Sequence, residues 1–236
     1  MTTKSEIESL LSLLEDPDPF IQESVQNRFS ELGENAVPLL DEYRIETQDL
    51  IEKSKVSSII HQLTFPTLKT DFHEVLEKGV RNRKTLELAA FTLSRFGNPT
   101  LRITDFEKQL DHFSEMVEPT IRYRLDERRK MKQLIKFVFE DLNFSGDTED
   151  YHNPANCFID QVIRRRRGLP ITLSMVVMFL ARRLEMPFFG VNMPIHFMLN
   201  YVSEKEEVLI DPYDNGAIVS YDQCYFFLKK NNIEPK

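Results

Sequence analysis

Arg164 to Pro187 reads RRRRGLPITLSMVVMFLARRLEMP, and this stretch decides the fold. Pro170 stands where a helix begins, because proline's fixed φ suits a first helical position whose N–H has no intrahelical partner. The run Ile171 to Ala181 is the longest apolar segment of the chain and is followed by Arg182-Arg183. It falls short of the roughly 18 residues a membrane span needs, so it reads as a buried helix. Consecutive residues of a helix lie about 100° apart, so Arg164, Arg165, Arg166 and Arg167 cannot all face one ligand, and one or two of them are expected to point inward.

Upstream of this stretch stand Asn153-Pro154-Ala155-Asn156-Cys157-Phe158-Ile159-Asp160 and Val162-Ile163. Downstream come Pro194-Ile195-His196-Phe197-Met198-Leu199 and Ile210-Asp211-Pro212. On pattern alone His196 is a histidine of an apolar strand, and Asp211 a strand-end residue that can hydrogen-bond the following turn. Their order after the helix is helix, His strand, Asp strand.

These blocks, over roughly Phe96 to Asp222, resemble the transglutaminase-like superfamily, and within it the SirB-type invasion-regulator family, whose domain also occurs in some F-box proteins. That family typically reads N-S-[FY]-L, V-L, R-R, G-x-P-I-x-L, P-x-H-F and I-D-P-[FY]. The sequence departs from it at Cys157, where serine is more usual, and at Ile195, where glycine is common. The resemblance implies an α+β, papain-like core with a small antiparallel sheet. Active relatives place a nucleophilic cysteine at the start of a helix, where the dipole and free N–H groups favour the thiolate. Aligning the glycine of that motif with Gly168 puts Pro170 on the cysteine's position, so cysteine-based acyl transfer is excluded there. His196 and Asp211 then remain as a dyad, matching a general base and the carboxylate that orients it. Around it the resemblance implies a cleft to which Asn156, Cys157, Arg166, Gly168, Pro170 and Thr172 contribute.

Each of these residues also has a plainer reading. Asn156 and Thr172 serve equally well as helix caps. Cys157, the candidate replacement nucleophile, sits where a small packing residue is usual, and Cys224 reads as core. The arginines can hold either the Asp160 carboxylate as a structural pair or a carboxylate on a bound peptide.

Composition limits the rest. With 236 residues the chain can bury a core without disulfides, and Cys157 and Cys224 show no metal-ligand spacing, which suits a reducing, cytoplasmic setting and predicts neither metal nor cofactor. Seven glycines supply no phosphate-binding loop. Residues 1–66 hold 5 Lys and Arg against 13 Asp and Glu, which accounts for the whole net charge of −8. Such an acidic surface disfavours nucleic acid and suits a basic protein partner. The opening residues, from Met1-Thr2-Thr3, lack the basic and apolar regions of a signal peptide, and no membrane insertion is expected.

Helical periodicity dominates the first 140 residues. The Asp16-Pro17-Asp18-Pro19 turn and Gly33 bound one helix. Residues 16–40 resemble a single HEAT-type hairpin, and a break at Thr64-Phe65-Pro66-Thr67 divides an acidic helical region, 1–66, from the domain at 67–236. Helices are expected at 68–80, 85–94, 103–117 and 121–139, and strands at 188–193, 196–202 and 208–210, with a closing helix at 221–230. Two functions stand: a non-catalytic regulatory module that binds a protein or peptide in the remnant cleft, and an unorthodox amide hydrolase or acyl transferase using His196 and Asp211 with water or Cys157.

Overall fold

The computed structural model describes residues 3–80, 82–122 and 126–233. It comprises two compact units, one of residues 1–78 and 92–101, the other of residues 79–91 and 102–236.

The first unit is helical, with α1 (Lys4–Ser12), α2 (Pro19–Leu32), a 3-10 turn (Gly33–Ala36), α3 (Val37–Glu46) and α4 (Leu50–Lys78). The acidic turn works as its sequence implies: the Asp18 carboxylate accepts from Phe20 N–H at 2.9 Å, and Pro19 takes the first helical position. Gly33, at φ +56°, ends α2 in a conformation that side chains resist. Ile7, Val25, Phe29, Leu40, Val56 and Ile60 form the core. The segment Thr64–Thr67 is not a break, because α4 runs through Pro66 and includes most of the separate helix expected at 68–80. Ile59, Ile60, Thr64 and Leu68 are buried along it, and the Thr64 hydroxyl donates to the Ile60 carbonyl at 2.8 Å. Burial of this face outweighs the backbone bond that proline removes.

The second unit is α+β. After α5 (Arg83–Gly97), whose residues divide between the units, come α6 (Ile103–Arg122), α7 (Glu127–Lys136) with a π turn (Phe137–Asp141), a 3-10 turn (Pro154–Cys157), α8 (Ile159–Arg165), α9 (Pro170–Arg183) and α10 (Tyr221–Lys230). Of the helix expected at 121–139, Ile121 belongs to α6 and residues 123–125 lie outside the described residues, as do Met1 and Thr2. Two short strands, β1 (Ser145–Gly146) and β2 (Arg167–Gly168), pair in parallel; β3 (Phe188–Met193), β4 (His196–Val202), β5 (Glu207–Asp211) and β6 (Ala217–Val219) form an antiparallel meander in chain order.

Helix α9 is the centre of this unit. Leu173, Val176, Val177, Phe179, Leu180 and Ala181 are fully buried, against α6, α7, α8 and the strands β3 and β4. Its C-terminal end is tied by Arg183, which donates to the buried Glu87 at 2.7 and 2.9 Å and to Asp111 at 2.6 Å. A cation at that end also complements the helix dipole. No helix among the described residues is long and apolar enough to cross a membrane.

Candidate functional site

His196 opens β4 and Asp211 closes β5. These strands pair Leu199 with Ile210, and continuing the register puts Asp211 opposite Met198. His196, two residues from Met198, projects to the same face and becomes the diagonal neighbour of Asp211. Imidazole Nε2 and carboxylate Oδ2 are 2.9 Å apart. An ionised carboxylate only accepts, so Nε2 carries the proton and donates. Oδ1 accepts from the backbone N–H groups of Tyr213 at 2.9 Å and Asp214 at 3.3 Å. Burial by itself raises the Asp211 pKa, but the hydrogen bond from His196 and the two backbone N–H groups outweigh it and hold the carboxyl below its ordinary value. Nδ1 of His196 has no hydrogen-bond partner among the described residues.

The dyad forms one wall of a cleft of about 460 Å³. Pro170, the first residue of α9, lies in the same cleft, which places the expected cysteine position and the dyad together. Tyr151 and Tyr213 also line it, with their rings edge to face at 5.9 Å. Gly146 allows this, since a Cβ there would lie 2.5 Å from the Tyr213 ring. The Tyr213 hydroxyl donates to the Asp147 carbonyl at 2.9 Å, and burial, with the neighbouring Tyr151 and Asp147, pushes the phenol's pKa up. From α10 come Cys224 and Phe227, whose ring lies 5.7 Å from that of His196.

The other residues named from the sequence do not line this cleft. Asn156 is fully buried; it donates to the carbonyls of Asp150 and Tyr151 and accepts from Arg165 at 3.0 Å. It fixes the loop that carries Tyr151, whereas α8 is preceded by Phe158 with no side-chain cap. Thr172 does act at its helix start, accepting from Leu169 N–H at 2.9 Å and donating to the Asn156 carbonyl at 3.0 Å. Gly168 packs beneath, where a Cβ would come within 2.8 Å of the Thr172 hydroxyl. Cys157 is exposed. Arg166, at φ +59°, is layered between Phe113 and Phe144 at 4.6 and 4.5 Å, while Arg165 pairs with Asp147 at 2.8 Å. The arginines thus serve the scaffold through cation–π stacking and a partly buried ion pair.

Tyr151, Tyr213, Phe227 and Cys224 are among the cleft residues whose placement sequence reasoning missed. Tyr213 follows Asp211-Pro212 directly, inside the quoted I-D-P-[FY] block, and so carried a signal. Tyr151 and the α10 residues depend on loop placement and carried none. Cys224 is buried against Met198, Sγ to Sδ 3.9 Å, and burial raises its thiol pKa. A second cleft of about 410 Å³ lies within the first unit, lined by serine and glutamine side chains and the Lys55–Glu15 ion pair, with no comparable dyad.

Comparison with known proteins places the chain in a family. A UPF0162 protein of Vibrio cholerae is 30% identical over 133 residues, covering 56% of this chain and 48% of its own length. A UPF0162 protein of Xylella fastidiosa is 34% identical over 87 residues, 37% of this chain and 31% of the relative. F-box only protein 21 of Homo sapiens is 26% identical over 184 residues, 69% of this chain and 29% of that protein. The chain thus spans less than half the length of these relatives. No solved structure matches. The family model described as the transglutaminase-like superfamily matches residues 104–236, which contain the cleft, α9 and both members of the dyad. The chain belongs to the transglutaminase-like superfamily.

Proposed function

We propose that this chain is a non-catalytic, cytoplasmic member of the superfamily, of the SirB type, and that its cleft binds a segment of a protein or peptide as a regulatory module. The observation that carries this reading is Pro170 in the cleft beside His196 and Asp211. A covalent mechanism requires a nucleophile within hydrogen-bond reach of the base, and proline has none. Cys224 is no substitute, because its thiol is buried, its pKa is raised and its sulfur faces Met198. Cys157 lies outside the cleft lining and is exposed. An imidazole with one nitrogen fixed and the other unpartnered is a hydrogen-bonding wall. The acidic residues of the first unit supply a further surface for a basic partner.

The intact dyad also suits activation of water, and one experiment separates the two readings. Wild type, His196→Ala and Asp211→Asn are applied to an array of immobilised peptides, and soluble peptide and isopeptide substrates are assayed for cleavage with the same proteins. The binding reading expects sequence-selective retention on the array that both variants lose, with no cleavage. Cleavage that disappears in His196→Ala overturns it in favour of a hydrolase, and retention unchanged in both variants moves the binding site away from the cleft.

A further inference from the structure

We infer that the cleft takes an uncharged, apolar side chain of an extended peptide, whose backbone N–H donates to His196 Nδ1, and that Ile195 selects for it. This rests on the reading of the cleft as a binding site and names the chemistry it accepts. Its lining contains no lysine or arginine, and its carboxylate, Asp211, has both oxygens engaged by His196 and by backbone N–H groups. An anionic occupant would find no cation in this lining, and a cationic one would give up its hydration for the single acceptor position that His196 and the turn leave on Asp211. Met193, Met198, Val219 and Phe227 provide apolar walls, and methionine adapts to the shape of what it contacts. Beside the dyad stands Nδ1 of His196, which has no hydrogen-bond partner among the described residues; the Tyr151 and Gln223 side chains also line the cleft. With the proton on Nε2, Nδ1 is a lone-pair acceptor, so the matching occupant offers a donor, as a peptide N–H does.

Ile195 supplies the independent observation. Pro194 and Ile195 form the two-residue turn between Met193, which ends β3, and His196, which opens β4, and these two residues pair. Ile195 adopts φ +59°, a left-handed backbone that a β-branched residue resists and glycine accepts freely. Its side chain lies at the cleft and is 68% exposed, so in the free chain it gains little burial in return for that backbone. A strained residue at a site is retained where the strain serves what the site holds. An apolar occupant would cover Ile195 and remove it from water, which a charged occupant would not reward.

The test uses the full chain with ¹³C-methyl-labelled methionine, titrated with the N-acetyl N-methylamides of leucine, phenylalanine, lysine and glutamate. The expected result is saturable movement of the Met193 and Met198 methyl signals with the leucine and phenylalanine probes only. Ile195→Gly should weaken those two by about five- to tenfold while raising the melting temperature by about 2–4 °C. Ile195→Ala, which keeps a side chain on the left-handed backbone, should weaken them with a smaller gain in stability. Equal binding of the charged probes, or undiminished affinity in Ile195→Gly, overturns this inference and leaves the cleft as a binding site. Methyl signals that move with no probe overturn the binding reading as well.

Discussion

His196 Nε2 lies 2.9 Å from Asp211 Oδ2, while the other carboxylate oxygen is held by two backbone N–H groups of the turn that follows. Both oxygens are therefore committed before any ligand arrives. The imidazole is held in one orientation with Nδ1 open, a pre-organised arrangement that serves binding as well as catalysis.

Asp211 should contribute to stability in an acid-sensitive way. Its folded pKa is depressed, so the contribution is full above the ordinary value of 3.8 and is lost as pH falls through the folded value. Asp211→Asn removes the charge and the acceptor facing Nε2. At pH 7 it should cost about 1.5–3 kcal/mol, the range for a hydrogen bond to a charged group. Urea unfolding at pH 7 and pH 3 checks this: the deficit of the variant should shrink at the lower pH.

The two cysteines should separate cleanly in alkylation. Cys157 is exposed, whereas Cys224 is buried with its thiol pKa pushed up. Iodoacetamide at pH 7.5 should modify Cys157 at least about tenfold faster, since the thiolate is the reactive species and must be reached. Peptide mass spectrometry assigns the sites. His196→Ala should leave the Cys157 rate unchanged, and a rate that drops in the variant would tie Cys157 to the dyad.

Much of the second unit was legible because its signals are local. Pro170 starts α9 where proline is tolerated, and the 188–193 and 196–202 strands lie at their expected bounds. The dyad followed from motif order. What could not be read depended on tertiary placement. Pro66 looked like a break because local propensity argues against it, and buried Thr64 and Leu68 decide otherwise. Asn156 looked like a cap, but it reaches Asp150, Tyr151 and Arg165 across a loop whose path no periodicity reports. The carboxylate partner of Arg165 is Asp147, 18 residues away, and nothing in the spacing announces it.

That pair makes its own prediction. The Asp147 side chain is 7% exposed and depends on Arg165, which also satisfies Asn156. The Asp150 backbone N–H, which also donates to Asp147, heads the causes that hold its carboxyl below the ordinary value, and Arg165 adds to them. Arg165→Ala leaves the Asp147 carboxylate and the Asn156 side-chain oxygen without their shared cation and should lower the melting temperature. The 148–153 loop, which carries Tyr151, should then be cut faster in limited proteolysis. Cleavage elsewhere with the loop still protected would show that Asn156 holds it unaided.

Gly146 is the most direct lever on the shape of the cleft. An added methyl would sit 2.5, 2.6 and 2.9 Å from three ring carbons of Tyr213, so the ring must move. The backbone of Gly146 is not left-handed, and alanine fits it without strain there. Gly146→Ala should therefore act through the ring alone. It displaces the Tyr213 hydroxyl from the Asp147 carbonyl, now 2.9 Å away, and disturbs the edge contact with Tyr151. Overpacking of this kind costs about 1–3 kcal/mol, with about 1 kcal/mol more for the lost hydrogen bond. Because burial pushes the Tyr213 pKa up, release of the ring should bring it down toward the ordinary value of 10.0. Ultraviolet titration of the variant, with Tyr213→Phe as the reference that isolates this phenol, measures the change. If stability falls while the Tyr213 titration stays where it is in wild type, the strain has been taken up in the β1 backbone and the cleft wall is stiffer than the Gly146 contact implies.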